Sequence, residues 1–250
     1  MESEPYGARV RLKYSTLVNF AASFAGMLLG LAFSALLARN LPVAEFGVWT
    51  LAMRYVGYVT PLAVVFTYWI PRTVSRGINT SRTGLLMAAC TGAVASLAYV
   101  VLAAALSSHL GQPLAYLLAV APLVFLIYLD RCMLSIASSH APQYVGVSSV
   151  VLRATRVLGA LALVVKLKMG FLGAALSAIL GRTASLTLLY SVNKGLLSRS
   201  RAKLSTLKAW ASRSWLPLFA NFASVMPLLD ALVVRVACGS DEVIAFYGIA

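Results

Sequence analysis

Apolar residues fill long blocks of this chain, at about 14–38, 46–70, 83–107, 114–136, 143–165, 171–192 and 214–237, and an eighth block begins near Val243. Each complete block is long enough for a helix, rising about 1.5 Å per residue, to cross a hydrocarbon core of about 30 Å. The breaks between them are short and carry turn formers: Asn40 with Pro42, Gly111 with Pro113, and Gly170;. The pattern predicts an all-α bundle of membrane-spanning helices with no soluble domain.

Composition agrees. Hydrophobic residues make up 60% of the chain and charged residues 11%, against about 45–50% and about 25% in a soluble domain. The first residues do not read as a cleavable signal, because Glu2 and Glu4 lead and the apolar run that follows is too long;. Cys90, Cys132 and Cys238 sit in separate apolar runs without ligand spacing, so they read as small hydrophobes rather than a disulfide framework or a metal site;.

A net charge of +14 would suggest nucleic acid in a soluble protein. Here the basic residues flank or interrupt spans, so anionic lipid head groups or an anionic cargo are the expected partners, and no nucleic acid. Arg9, Arg11 and Lys13, then Arg72, Arg76 and Arg82, then the basic residues of 194–213 all fall on one side of the predicted topology. The positive-inside rule makes that side cytoplasmic, with the amino terminus, and places the protein in the cell membrane. Within 194–213, Leu197, Leu204, Leu207 and Ala211 recur at helical spacing, as expected of an amphipathic helix lying on an anionic membrane face, with an ordinary positive-inside loop as the alternative;.

Charges inside the spans carry the candidate chemistry, since each costs at least about 2.5–3.5 kcal/mol at mid-membrane and needs a partner, a wet cavity or a route to the interface. Counting along the spans places Arg153, Arg156 and Arg182 near the middle, Arg54 and Asp230 in the outer half, and Asp130 and Arg131 toward the cytoplasmic side. Ser149, Arg153, Arg156 and Ala160 share one stripe of the fifth span, with Val147, Val151 and Leu158 on the other side, so both arginines are expected to face the bundle interior;. Gly173, Ser177, Gly181 and Ser185 repeat small residues every fourth position, which allows close packing beside Arg182;. Asp130 and Arg131 are sequence neighbours, point about 100° apart on a helix, and must look elsewhere for partners.

Guanidinium stays protonated and offers a planar fork of donors to phosphate oxygens. Arg153, Arg156 and Arg182, with Arg54, are therefore candidate ligands for an anionic head group. The competing reading is that individual arginines snorkel to lipid or bond to backbone carbonyls. Asp130, Arg131 and Asp230 are candidates for ion pairs, Asp230 alternatively for binding a proton or Na+. Tyr55, Tyr58, Tyr68 and Trp69 fit either sugar stacking or an interfacial belt. No nucleophile, metal-ligand or phosphate-loop motif appears, so no enzyme, cofactor or metal is expected.

ALLAR at 35–39 and ALVVR at 231–235 each end a span with arginine before a short turn, a weak internal echo of a repeated bundle;. The stretch SALLARNLPVAEFGVWTLA resembles the first turn of Wzx-type polysaccharide-biosynthesis flippases, within the multidrug/oligosaccharidyl-lipid/polysaccharide (MOP) exporter superfamily. Leu41, Pro42, Glu45, Phe46 and Gly47 match that pattern, while Asn40 precedes the leucine and a glycine after it is missing. The arginine-bearing fifth span, GFLGAALSAILGR and the segment around Asp230 are similar to that family's fifth, sixth and seventh helices.

The resemblance implies a MATE-like lobe of six helices over 1–193, a cytoplasmic basic connection over 194–213, and the first helix of a second, truncated lobe over 214–250, with an eighth helix starting. A dimerising half-transporter is the other arrangement. It implies alternating-access flipping of a lipid-linked, pyrophosphate-bearing oligosaccharide, with a proton or Na+ as coupling ion and glycan-assembly membrane proteins as partners. A cation-coupled exporter of drugs or metabolites in the same superfamily, and a non-transporting membrane subunit or inactive fragment, are the alternatives.

Overall fold

The computed structural model describes residues 12–223 and 229–238, together with Val243. The expected eighth span lies outside the described residues, as do parts of the seventh. Among the described residues there is no strand, and six segments are long and apolar enough to cross a membrane.

The first segment is α1 (Leu12–Asn40), whose outward face shows Leu17, Phe20, Phe24 and Leu31. Pro42 then starts α2 (Val43–Val59), which runs through a 3-10 turn (Thr60–Ala63) into two short helices, α3 (Val64–Thr67) and α4 (Trp69–Val74). After a turn come α5 (Ser81–Leu110) and α6 (Leu114–His140), joined at Gly111 in the left-handed conformation that favours glycine;. Next is α7 (Gln143–Ala160), which widens into a π-helical turn (Leu161–Lys166), and α8 (Gly170–Ser198). Three further helices are α9 (Leu204–Arg213), α10 (Trp215–Phe222) and α11 (Leu229–Cys238).

The second span is thus broken where an unbroken helix was expected. Pro61 has no N–H to give the helical ladder, and side chains from other elements take up carbonyls at the break. The Tyr128 hydroxyl donates to the Val59 oxygen at 2.5 Å and the Asn221 amide to the Pro61 oxygen at 3.1 Å. Pro122, by contrast, sits inside a continuous α6.

The long helices pack as a chain of neighbours, α1 on α7, α7 on α8, α8 on α6 and α6 on α5, with α2 set against α5 and α6. Small residues permit the closest of these approaches: a Cβ on Gly181 would fall 2.6 Å from the Leu152 carbonyl oxygen, and one on Gly159 would fall 2.9 Å from Ser177 Cβ;. Buried Tyr55 and Tyr99 each find a polar partner, in Gln112 Oε1 at 3.3 Å and the Leu117 oxygen at 2.9 Å;.

The basic connection also differs from a single amphipathic helix. Leu197 belongs to α8 and is buried, and residues 199–203 leave helical geometry, with Ser200 and Lys203 tied to Asn79 and the first turn of α5. Ser200 Oγ accepts from the Arg82 N–H at 3.2 Å and donates to the Asn79 oxygen, while the Lys203 N–H donates to Thr83 Oγ1 at 3.1 Å. Helix α9 buries Trp210 and leaves Leu204 exposed.

Candidate functional site

A cavity of about 790 Å³ lies between α1, α6, α7 and α8. Three of its lining residues are Arg153, Arg156 and Arg182, and a single carboxylate, Asp130, joins them. The stripe read on the fifth span points where expected: Ser149 lines the cavity while Val147 and Leu158 are exposed on the outer face.

Each arginine is held differently. Arg153 lies across α1, its Nη1 donating to the Gly26 carbonyl at 2.7 Å. Gly26 and Gly30 leave the trough for it, since a Cβ on either would come within 3.3 Å of the Arg153 side chain. Arg156 sits over the Phe33 ring, its guanidinium carbon 4.2 Å from the centroid, a cation–π contact;. Its Nε is buried without a hydrogen-bond partner among the described residues.

Arg182 donates from Nη1 to Asp130 Oδ2 at 2.5 Å, and Ser185 donates to Asp130 Oδ1 at 2.7 Å. Asp130 is thereby satisfied on both oxygens, across elements rather than by its neighbour Arg131. Half-buried Arg131 is not part of the lining.

Arg54 stands apart from this group. It borders a second cavity of about 220 Å³ with Trp49, Thr50 and Met53, and pairs with Asp230 of α11 at 4.0 Å. Ser34 belongs to both linings. The aromatic residues Tyr55, Tyr58, Tyr68 and Trp69 line neither cavity.

Three features escaped the sequence reading. The trough of Gly26 and Gly30 carried a visible signal, the small-xxx-small spacing of GMLLG;. Asn19 clamps the start of α7, donating to the Pro142 oxygen at 3.1 Å and accepting from the Gly146 N–H at 2.8 Å. Glu45 caps α8: its Oε2 accepts from the Phe171 N–H at 2.9 Å, which places a carboxylate on the positive end of that helix;. Around that cap, Tyr116 stacks on Phe171 at 4.6 Å, and Trp49 meets both Phe171 and Phe33 edge-on.

Compared as a sequence, the chain matches no family model and no curated protein. Compared as a structure, it is similar to a crystal structure of MATE in a complex, with TM-score 0.68 and 14% identity, over 99% of this chain and 64% of that one. A crystal structure of MATE in the straight conformation gives TM-score 0.67 at 13% identity, over 99% and 63%. An outward-facing multidrug resistance MATE transporter of the MOP superfamily gives 0.58 at 14%, over the same shares. The chain therefore has the fold of these MATE structures, and spans less than two thirds of their length.

Proposed function

We infer that this chain builds the cargo cavity of an alternating-access membrane transporter that flips a lipid-linked, pyrophosphate-bearing oligosaccharide. The observation that carries the reading is the charge of the cavity: three guanidinium groups against one carboxylate, which Arg182 already occupies. Arg153 and Arg156 have no carboxylate partner among the described residues, and Arg156 keeps an unused buried donor. An anion brought in by the cargo supplies the missing acceptor. A volume of about 790 Å³ falls within the range of roughly 300–1,000 Å³ usual for ligand pockets.

Arg54, in the adjoining cavity, is the next cation along the path, with Ser34 between the two. A coupling proton or Na+ would have to compete with Arg54 for Asp230. The straight and outward-facing conformations of the MATE structures support a rocking cycle for this fold. Basic residues gathered on one end, including Arg72, Arg76 and Arg82, support a cytoplasmic placement of that end in the plasma membrane.

The test is flipping of a fluorescent lipid-linked oligosaccharide in proteoliposomes. Replacing Arg153 and Arg156 by Gln removes two charge-assisted contacts and should slow flipping at least about tenfold. Unchanged flipping, or efflux of cationic dyes that those replacements improve, would favour a drug exporter instead.

A further inference from the structure

At the end of the bundle where α4 gives way to α5, a groove of about 370 Å³ runs between α4 and α9. Trp69 and Thr73 line it from α4, and Ala209 and Trp210 line it from α9. Ser205 and Thr206 stand at one end, in the first turn of α9, and Arg213 at the other, in the last turn. One face of α9 thus presents an arginine, an apolar middle and two hydroxyls in a row.

The groove is built rather than incidental. The Trp69 indole N–H donates to Ser214 Oγ at 3.0 Å, and Ser214 Oγ donates in turn to the Trp210 oxygen at 2.6 Å. That relay fixes both walls. The tethers from Asn79, Arg82 and Thr83 to residues 196–203 hold the start of α9 against the same end of the bundle.

Charge and position then select the occupant. Residues 194–213 contain Lys194, Arg199, Arg201, Lys203, Lys208 and Arg213 and no acid. The ion pairs of Arg54 with Asp230 and of Arg182 with Asp130 both lie away from this end. Leu204 at the start of α9 and Trp215 just after its end are exposed, and exposed tryptophans with basic pockets are the features that meet lipid head groups at a membrane interface.

We propose that the α4–α9 groove is a binding site for one anionic phospholipid. Its phosphate is held by Arg213, and the ester region and upper acyl carbons that follow it lie between Trp69 and Trp210 over Ala209. The site is separate from the arginine cavity and does not depend on what that cavity carries. Because α9 leads from the six-span bundle to α10, an occupied groove pins that connection to the leaflet.

Native mass spectrometry of the purified chain in neutral detergent tests this, with phosphatidylglycerol, phosphatidylcholine and inorganic phosphate as probes. The expected result is one retained phosphatidylglycerol, loss of phosphatidylcholine under the same activation, and no displacement by inorganic phosphate. Arg213→Gln should weaken retention about fivefold, the scale of one basic contact to an anionic head group. Ala209→Leu should abolish retention by filling the groove. Lys208→Gln, an equal charge loss on the opposite, exposed face of α9, should leave it unchanged.

Equal retention of both lipids, displacement by phosphate, or equal losses in the Arg213 and Lys208 variants would each overturn the proposal. Should the groove variants fail to fold, tryptophan quenching in the unmodified chain decides. Brominated phosphatidylglycerol must quench more than brominated phosphatidylcholine, and equal quenching rejects the site.

Discussion

Asp130 is the residue on which the cavity turns. Its side chain is 4% exposed and carries two contacts, to Arg182 and Ser185. Truncating one partner of a buried pair leaves the other charge uncompensated, at a cost of about 3–5 kcal/mol. Asp130→Ala should therefore lower the thermal midpoint of the detergent-solubilised protein sharply, while the double change with Arg182→Gln should recover most of the loss. A double variant no more stable than Asp130→Ala would mean that the pair is not the source of the effect. That a charge belonged here was legible, because an acid in an apolar span demands a partner. Which arginine answers was not legible, since the contact joins residues 52 positions apart on α6 and α8.

At the scale of elements, span length and small-residue spacing were written in the sequence, because both follow from local composition. The ends and breaks of helices were not. Pro61 breaks the second span and Pro122 leaves the fourth intact, though each stands inside a long apolar run. At Pro61 it is Tyr128 and Asn221, from distant elements, that meet the carbonyls of the break. Glu45 makes the same point for α8, which starts at a glycine with φ +56° after Lys168, itself at φ 52°. With no side-chain cap of its own, α8 borrows a carboxylate from the start of α2. Losing an N-terminal cap and its charge costs about 1–2 kcal/mol. Glu45→Ala should accordingly speed hydrogen exchange at the Phe171 amide, with Glu45→Gln intermediate because it keeps the acceptor but not the charge. Exchange at Phe171 unaltered in both variants would deny Glu45 the capping role.

For the molecule as a whole, the decisive quantity is the excess of cations over protein-borne anions. The carboxylates whose surroundings are described, Glu45, Asp130 and Asp230, are each engaged: one caps α8, one holds Arg182, one pairs with Arg54. The pairs differ in weight. Arg54 and Asp230 are 28% and 41% exposed at 4.0 Å, so solvent screening reduces that bridge to the range of about 0–1 kcal/mol. Asp130 and Arg182 meet in a more enclosed place. The positive field of the cavity is therefore set by a balance that one residue can tip without disturbing the packing. Asp130→Asn keeps the size and one acceptor oxygen, enough for either Arg182 or Ser185, but removes the only negative charge in the lining. If the cavity receives an anion, this change should tighten binding of pyrophosphate. A unit charge some 8 Å away at an effective dielectric constant of 20 acts with about 2 kcal/mol, roughly a tenfold or greater effect. Arg156→Gln should weaken the same binding, and raised salt should shrink both differences. Calorimetric titration of the purified protein with pyrophosphate checks all three together. A cavity made for a cation would give the reverse order, with Asp130→Asn losing its ligand and Arg156→Gln gaining one.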